Sequence, residues 1–154
     1  MRREKIPIPT VVEVLEELNG GTVFSRLATN MDFHQIELEE GSTDITTFSA
    51  CDSLFCYKRL SFGINSAPEQ YQNIVGQTIT GCPGVTKIAD DIMVHGKTTK
   101  EHDRNLVALL NRWQERNLTL NKTQCKIRMS QTVFMERILN KHGLGPPEEK
   151  VRAI

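Results

Sequence analysis

The chain has 154 residues, 38% of them hydrophobic and 25% charged, a composition that fits one ordinary globular domain. Its formal net charge is zero, which argues against a stand-alone nucleic-acid binder held by a global positive field. No stretch approaches the roughly 18 apolar residues of a membrane span, and the first residues run into prolines rather than an apolar signal segment, so we predict a soluble, intracellular protein.

The N-terminal half predicts one helix followed by short strands. Thr10 and Glu13 have the spacing of a capping box at the start of an apolar stripe, which indicates a helix over 10–18. Short β-prone runs predict strands over these ranges: 22–28, 33–39, 46–50 and 54–60. The turn-prone pair Asp52-Ser53 separates the last two strands.

The C-terminal half alternates helices and strands. Capping boxes begin a second helix at Ser66 and a third at Thr98, which Asn117 ends. Strands are predicted over these ranges: 85–89, 92–95, 125–129 and 133–138. The segment 143–147 is predicted to be a loop. Helices and antiparallel strands without a repeating βα period predict an α+β fold, an antiparallel sheet packed against helices.

Asp90 and Asp91 gain significance from their context. An adjacent Asp pair in a turn is by itself usually a solvated pair. Here the pair lies at the tip of a hydrophobic hairpin, Val85 to His95, which would hold both carboxylates at a fixed point. Two acids held rigidly near a third are what two-metal phosphoryl transfer requires.

A series of short motifs runs through the chain in this order: Phe24-Ser25-Arg26-Leu27, Phe33-His34-Gln35-Ile36, Thr46-Thr47-Phe48, Phe62-Gly63-Ile64-Asn65-Ser66-Ala67-Pro68, Ile88-Ala89-Asp90-Asp91, Leu118-Thr119-Leu120-Asn121 and Lys126. Together they resemble the palm of gypsy-type LTR retrotransposon reverse transcriptases. The resemblance covers nearly all 154 residues. It implies a palm fold, RNA-directed DNA polymerase ancestry with two Mg²⁺ ions, and an RNA/DNA template-primer as partner.

The resemblance also implies roles for individual positions. Asp90 and Asp91 match the paired aspartates of the family's YxDD-like motif, which implies catalytic, metal-binding residues. Phe33 matches the aromatic residue under the incoming sugar, and Phe62 and Gly63 belong to the segment that lines the nucleotide and template side. Without the resemblance, Phe33 and Phe62 would be read as ordinary core aromatics.

The primer side and the nucleic-acid backbone fall in the C-terminal third. Phe134-Met135 matches the start of the hairpin that grips the primer end. Residues 104–154 carry 10 Lys or Arg against 4 Asp or Glu. A backbone-contacting strip there would include Lys122, Lys126 and Arg128. Charge counting alone favours the alternative, a solvated helix face.

Several positions depart from the family pattern. Ala28 stands where the first catalytic aspartate is usual, and a methyl group cannot ligate Mg²⁺, which prefers oxygen. Asp32 would have to reach back across a turn to replace it. The primer-grip segment has Glu136 where glycine is usual, and Ile88 replaces a tyrosine. We therefore predict a catalytically inactive chain with impaired Mg²⁺ binding.

Residues 1–154 are thus predicted to form a partial reverse transcriptase domain: a palm with the edge of the fingers, without thumb and RNase H regions. Template-primer binding is predicted to be weak. Two alternatives stay open. In the first, Asp32 or a partner subunit restores the metal site of an active polymerase. In the second, the chain is a non-catalytic RNA- or protein-binding module that acts through the basic segment Arg104 to Lys141.

The four cysteines form no CxxC pair and have no histidine at zinc-ligand spacing. We predict reduced thiols that serve mostly as small packing residues.

Overall fold

The computed structural model describes residues 10–30, 33–88, 91–134 and 137–147. These residues form four α-helices and nine strands with the following bounds: α1 Val11–Leu18, β1 Val23–Ala28, α2 Glu40–Thr43, β2 Phe48–Ala50, β3 Ser53–Phe55, α3 Ala67–Ile79, β4 Val85–Ile88, β5 Asp91–Gly96, α4 Thr99–Glu115, β6 Lys126–Met129, β7 Gln131–Phe134, β8 Arg137–Asn140 and β9 Gly143–Pro147. Helices and antiparallel strands confirm the predicted α+β class.

The chain divides into two compact units. The first comprises Met1–Ile6 and Met31–Gln77, and the second comprises Pro7–Asn30 and Thr78–Ile154. The second unit contains a four-stranded sheet in the order β4-β5-β1-β6 and a three-stranded sheet in the order β7-β8-β9. The first unit contains the two-stranded sheet of β2 and β3.

Helix α4 covers the four-stranded sheet and packs on β5 and β1. Its buried face consists of His102, Asn105, Leu106, Leu109 and Trp113. The Thr98 side chain accepts a hydrogen bond from the Glu101 amide, which confirms the predicted helix start. The left-handed φ of 54° at Asn117 confirms the predicted end.

Helix α1 packs beside β4. The predicted capping box is present: the Thr10 hydroxyl accepts from the Glu13 amide, and the Glu13 carboxylate accepts from the Thr10 amide. One core cluster of the second unit consists of Val14, Leu18, Phe24, Met93 and Leu139. Burying such apolar side chains removes their surface from water and is the main force that holds the elements together.

In the first unit, a turn at Cys51 and Asp52 joins β2 to β3. Both turn residues have positive φ, 49° and 61°, as a two-residue hairpin of the primed type requires. The sequence placed this turn one residue later, at Asp52-Ser53. Cys51 and Cys56 are exposed, so the predicted packing role is wrong for these two thiols, which lie in the turn and just after β3.

Other predictions also need correction. The predicted strand over 54–60 is limited to β3, Ser53–Phe55. Phe33–Gln35 is a 3-10 helix rather than the start of a strand, because Phe33 turns its ring onto Phe62 and Tyr71. The predicted strand over 133–138 is two strands, β7 and β8, which pair with each other. The predicted loop over 143–147 is strand β9, which pairs with β8. None of the helices in the described ranges is long and apolar enough to cross a membrane.

Candidate active site

The predicted carboxylate hairpin is formed by β4 and β5. Their antiparallel pairing ends with Ile88 opposite Asp91, so two residues connect the strands, as a tight hairpin requires. Asp91 is the first residue of β5 and pairs with Ile88, whereas the sequence placed it in the connection between the strands. Asp90, the other predicted catalytic residue, lies outside the described residues.

Ala28 is the direct neighbour of Asp91 across the sheet, at the end of β1. Opposed residues of antiparallel strands point to the same face, with Cβ atoms about 5 Å apart. The Ala28 backbone is fixed, because its carbonyl accepts a hydrogen bond of 2.9 Å from the Asn121 amide. A carboxylate at position 28 would therefore lie beside the Asp91 carboxylate. The methyl group that is present offers no ligand atom.

The Asp91 carboxylate is instead held by a cation from the protein. Arg26, two residues before Ala28, donates from Nε and Nη2 to Asp91 Oδ2 at 2.7 and 2.6 Å. Both side chains are partly exposed. A guanidinium at this distance neutralises the carboxylate and repels a second cation, which costs about 4 kcal/mol per charge pair at 4 Å near a protein surface.

These described residues do not fit a divalent metal ion. Carboxylate or other oxygen ligands are what Mg²⁺ needs, and at the hairpin Ala28 supplies none while Asp91 is engaged by Arg26. No three His, Cys, Asp or Glu side chains come together as a metal site within the described ranges. Asp32, the predicted substitute ligand, lies outside those ranges.

The predicted nucleotide-side residues lie together in the first unit. Phe33 is buried and packs against Phe62 with ring centroids 5.0 Å apart. Phe62 is itself exposed, so the core-aromatic reading fits Phe33 and is wrong for Phe62. Gly63 has a φ of 89°, a left-handed conformation that strains other residues. Phe33 and Phe62 thus form an aromatic pair next to a glycine turn, and only Phe62 reaches the surface.

The predicted primer-side pair is described only in part. Phe134 is the last residue of β7 and pairs with Arg137, while Met135 lies outside the described residues. Lys122 and Lys126 are both exposed. Arg26 and Lys126 line a shallow cleft of about 170 Å³ beside β7 and β8.

Arg128 has an intramolecular partner that the sequence did not reveal. Its guanidinium donates from Nε and Nη2 to both carboxylate oxygens of Asp103, at 3.0 and 2.6 Å. Such a two-point ion pair satisfies the fork of donors that would otherwise meet a phosphate. Of the three predicted backbone-contacting residues, Arg128 therefore has its guanidinium engaged by Asp103, whereas Lys122 and Lys126 are exposed.

The Arg128–Asp103 pair continues into a buried polar network. His102 Nδ1 forms a hydrogen bond of 3.0 Å with the Asp103 carboxylate, and His102 Nε2 forms one of 2.7 Å with the Ser25 hydroxyl. Ser25 Oγ in turn accepts from the Arg128 amide at 3.0 Å. These atoms have the order of a hydrolase triad, but Ser25 and His102 are both 0% exposed. Since no substrate can reach the hydroxyl, the network links β1, α4 and β6 as a structural element.

This network makes a prediction about acid stability. The hydrogen bonds from Arg128, and secondly from His102, hold the pKa of Asp103 below its ordinary value. A depressed carboxyl pKa stabilises the fold above the unfolded-state pKa, and this stabilisation disappears as pH falls through the folded-state pKa. The Tm of the unmodified chain should therefore exceed that of Asp103→Asn near neutral pH, and the two should converge below about pH 4. Thermal melts over that pH range provide the measurement.

Asp44→Asn, which changes an exposed carboxylate of the first unit, serves as the control. A difference between the unmodified chain and Asp103→Asn that persists unchanged at low pH would contradict the assignment.

Comparison with known proteins supports the family resemblance that the order of the motifs indicated. Residues 3–151 match the family model described as reverse transcriptase (RNA-dependent DNA polymerase). The chain is 31% identical over 153 residues to the retrovirus-related Pol polyprotein from transposon 412 of Drosophila melanogaster, covering 98% of this chain and 12% of that protein. The Tf2-3 transposon polyprotein of Schizosaccharomyces pombe is 26% identical over 148 residues, which cover 94% of this chain and 11% of the relative. The chain thus spans only a small part of these relatives.

Solved structures show the same fold. The foamy viral protease-reverse transcriptase in complex with double-stranded DNA superposes with a TM-score of 0.77 at 18% identity, over 99% of this chain and 28% of that one. The same protein in complex with an RNA/DNA hybrid gives a TM-score of 0.72 at 20% identity, over 94% and 20%. The predicted likeness to reverse transcriptases of LTR retrotransposons is confirmed, while the gypsy-type subdivision stays a prediction. The chain belongs to the reverse transcriptase (RNA-dependent DNA polymerase) family.

Proposed function

We propose that this chain is a reverse transcriptase palm with the edge of the fingers that does not catalyse polymerisation. In this proposal Asp90 and Asp91 are the remnant of the family's metal-binding pair, and Phe33, Phe62 and Gly63 are the remnant of its nucleotide side. The gypsy-type lineage proposed from the motifs accounts for the order of these residues along the chain.

One observation carries the proposal. The position of Ala28 is in register with Asp91 across β1 and β5, so the fold keeps the place where a third carboxylate would stand, and the sequence fills it with a methyl group. The nearby Arg26 forms an ion pair with the Asp91 carboxylate. Loss of one oxygen ligand and occupation of another by a fixed cation act in the same direction, because both weaken binding of a divalent ion.

Manganese binding tests this proposal. Mn²⁺ broadens the amide signals of nearby residues in NMR spectra, and Ala28 and Asp91 serve as reporters at the hairpin. We expect no saturable broadening there in the unmodified chain, site-specific broadening in Ala28→Asp, and tighter binding in the double variant Ala28→Asp, Arg26→Gln. Removing the guanidinium takes away a repulsive charge, so the double variant should gain at least several-fold in affinity.

Arg26→Gln alone is the matched control, since it frees Asp91 without supplying a ligand at position 28. Saturable Mn²⁺ binding at the hairpin of the unmodified chain would contradict the proposal. It would favour the alternative in which Asp32 completes the site, and loss of that binding in Asp32→Ala would establish it.

Weak nucleic-acid binding is a second candidate function. The exposed side chains of Lys122 and Lys126 favour it, and the foamy viral neighbours were solved with DNA and with an RNA/DNA hybrid. Phosphate contacts position a nucleic acid without reading its sequence, so we expect weak binding with no sequence preference. Affinity for single-stranded RNA should fall as salt rises, with a slope set by a few contacts.

Lys122→Gln and Lys126→Gln should each reduce the slope of log affinity against log salt by about 0.7, as loss of one single-strand phosphate contact predicts. Lys100→Gln, an exposed lysine in the first turn of α4, is the matched control. Fluorescence anisotropy with a labelled RNA measures the slopes. Sequence-selective or salt-independent binding would speak against this candidate.

A further inference from the structure

A continuous row of aromatic rings runs from the core of the first unit to its surface. The row begins at the buried Tyr71 and passes through Phe33 to Phe62, with ring centroids 5.9 and 5.0 Å apart. It continues from Phe62 to His34 at 5.8 Å, and from His34 to Tyr57 at 6.2 Å.

Two further rings complete the row on the β2–β3 hairpin. Tyr57 lies 5.3 Å from Phe48, and Phe48 stacks on Phe55 at 5.8 Å. Phe48 and Phe55 are also direct partners in the β2–β3 ladder, so they share one face of the ribbon. We call the five surface rings the aromatic row: His34, Phe48, Phe55, Tyr57 and Phe62. Through Phe62, the aromatic row is in contact with the buried rings of Phe33 and Tyr71.

Exposed apolar side chains on the described surface are concentrated around the aromatic row. Eleven large hydrophobic side chains are exposed in the described ranges, and six of them lie within residues 45–62. Leu54, at 76%, and Phe62, at 66%, are among the most exposed. Clusters of exposed apolar side chains, unlike single ones, mark surfaces that bind a partner. A two-stranded ribbon such as β2–β3 is also marginal without added contacts.

The segment that carries the aromatic row is acidic, which favours a cationic partner. Residues 33–77 contain two basic side chains, Lys58 and Arg59, against six acidic ones, a net charge of −4. One of the two cations, Arg59, is already paired with Glu37. The remaining acids include Glu39, Glu40 and Asp44, all exposed. A phosphodiester backbone would be repelled here, whereas a cationic segment would be attracted.

We propose that the aromatic row is a docking surface for an arginine- and lysine-rich segment of a partner protein. Guanidinium groups would stack on the exposed ring faces of Phe48, Phe55 and Tyr57, since an aromatic face attracts cations. The carboxylates of Glu39, Glu40 and Asp44 would attract the remaining charges. The proposal does not depend on whether the chain is an active polymerase.

Peptide binding to the full chain tests the docking surface. The probe is a fluorescein-labelled peptide of alternating Arg and Gly, with a Glu-Gly peptide as the control, followed by anisotropy at low and high salt. We expect binding of the Arg-Gly peptide alone, weakened by salt. Phe48→Leu and Phe55→Leu keep the apolar side chain and remove the ring, so each should lower affinity about two- to fivefold.

Leu54→Ser is the matched control, because Leu54 is adjacent to Phe55 in β3 and points to the opposite face of the ribbon. Its affinity should equal that of the unmodified chain. Glu39→Gln combined with Glu40→Gln should reduce the salt dependence without touching a ring, and circular dichroism confirms that each variant is folded. If Phe48→Leu loses its fold, Phe55→Leu and the charge variants still decide the question.

Three outcomes would overturn the proposal. The first is no binding of the Arg-Gly peptide, or binding that the Phe variants leave unchanged. The second is tighter binding of a single-stranded oligonucleotide that the Phe variants abolish, which would make the row a base-stacking surface. The third is self-association in sedimentation that the Phe variants abolish, which would make a second copy the occupant.

Discussion

The purified chain is expected to give no primer extension above background on a homopolymer template, with either Mg²⁺ or Mn²⁺. Under the proposed function, Ala28 leaves a two-metal clamp without one carboxylate, a loss on the order of 3 kcal/mol or more of electrostatic stabilisation, which is about two decades in rate. The ion pair between Arg26 and Asp91 adds to this loss, because it engages the carboxylate that stands opposite position 28.

Ala28→Asp alone is expected to recover little activity. The variant would place two carboxylates side by side across β1 and β5, but Arg26 would still bind one of them. Positioning of the nucleotide and duplex is itself a large share of catalysis, and a restored ligand does not supply it. We expect a measurable gain only when Ala28→Asp is combined with Arg26→Gln, which removes the cation from Asp91, and the chain is joined to fingers and thumb segments from a related element.

The decisive comparison is single-turnover extension by four proteins: the unmodified chain, Ala28→Asp, the double variant, and the double variant in the joined protein. The joined protein without Ala28→Asp is the control for activity brought in by the added segments. Robust extension by the unmodified chain would refute the inactive assignment.

Local chemistry made much of the fold predictable. The capping box at Thr10, the N-cap at Thr98 and the left-handed residue Asn117 depend on side chains within three residues of the helix ends, so the sequence shows them directly. The hairpin of β4 and β5 was equally visible, because two short β-prone runs flank a two-residue connection.

Predictions failed where distant contacts overrode local pattern. The alternation from Phe33 to Glu39 is typical of a strand, yet contacts with Phe62 and Tyr71 place Phe33 in a 3-10 helix. Residues 143–147 contain two glycines and two prolines and predict a loop, but pairing with β8 makes them a strand. Edge position makes this possible, since β9 is the last strand of its sheet and its prolines need not donate to a further neighbour.

In the candidate site, too, local motifs were predictable and distant side-chain contacts were not. The sequence identified Ala28 and Asp91 from the motif order, and the register of β1 and β5 brought them together. It did not reveal that Arg26 holds Asp91, or that Ser25, His102 and Arg128 form one network, because these contacts join residues 65 to 103 positions apart. His102 shares the buried face of α4 with Leu106, Leu109 and Trp113, and only the three-dimensional contacts distinguish it from these packing residues.

Gly96→Ala is expected to lower the free energy of unfolding substantially, although it adds only one methyl group. A Cβ at Gly96 would lie 2.4 Å from the His102 nitrogen and 2.7 Å from its Cα, so it would strike backbone rather than a movable side chain. Neither side can yield easily. The Gly96 carbonyl accepts from the Thr22 amide at 2.9 Å, and the His102 amide donates to the Thr98 carbonyl at 2.9 Å in the first turn of α4.

Forcing α4 away from β5 would also strain the hydrogen bond between Ser25 and His102. Overpacking of this kind typically costs 1–3 kcal/mol, and the backbone contact puts Gly96→Ala at about 3 kcal/mol, or roughly 6–12 °C in Tm. The matched control is Gly76→Ala in the interior of α3, where a Cβ meets nothing within 4 Å. That change should instead stabilise the chain by about 0.5–1 kcal/mol, because alanine is the better helix former. Equal Tm values for the two variants in thermal melts would show that α4 does not pack on β5 at Gly96 as closely as the structure indicates.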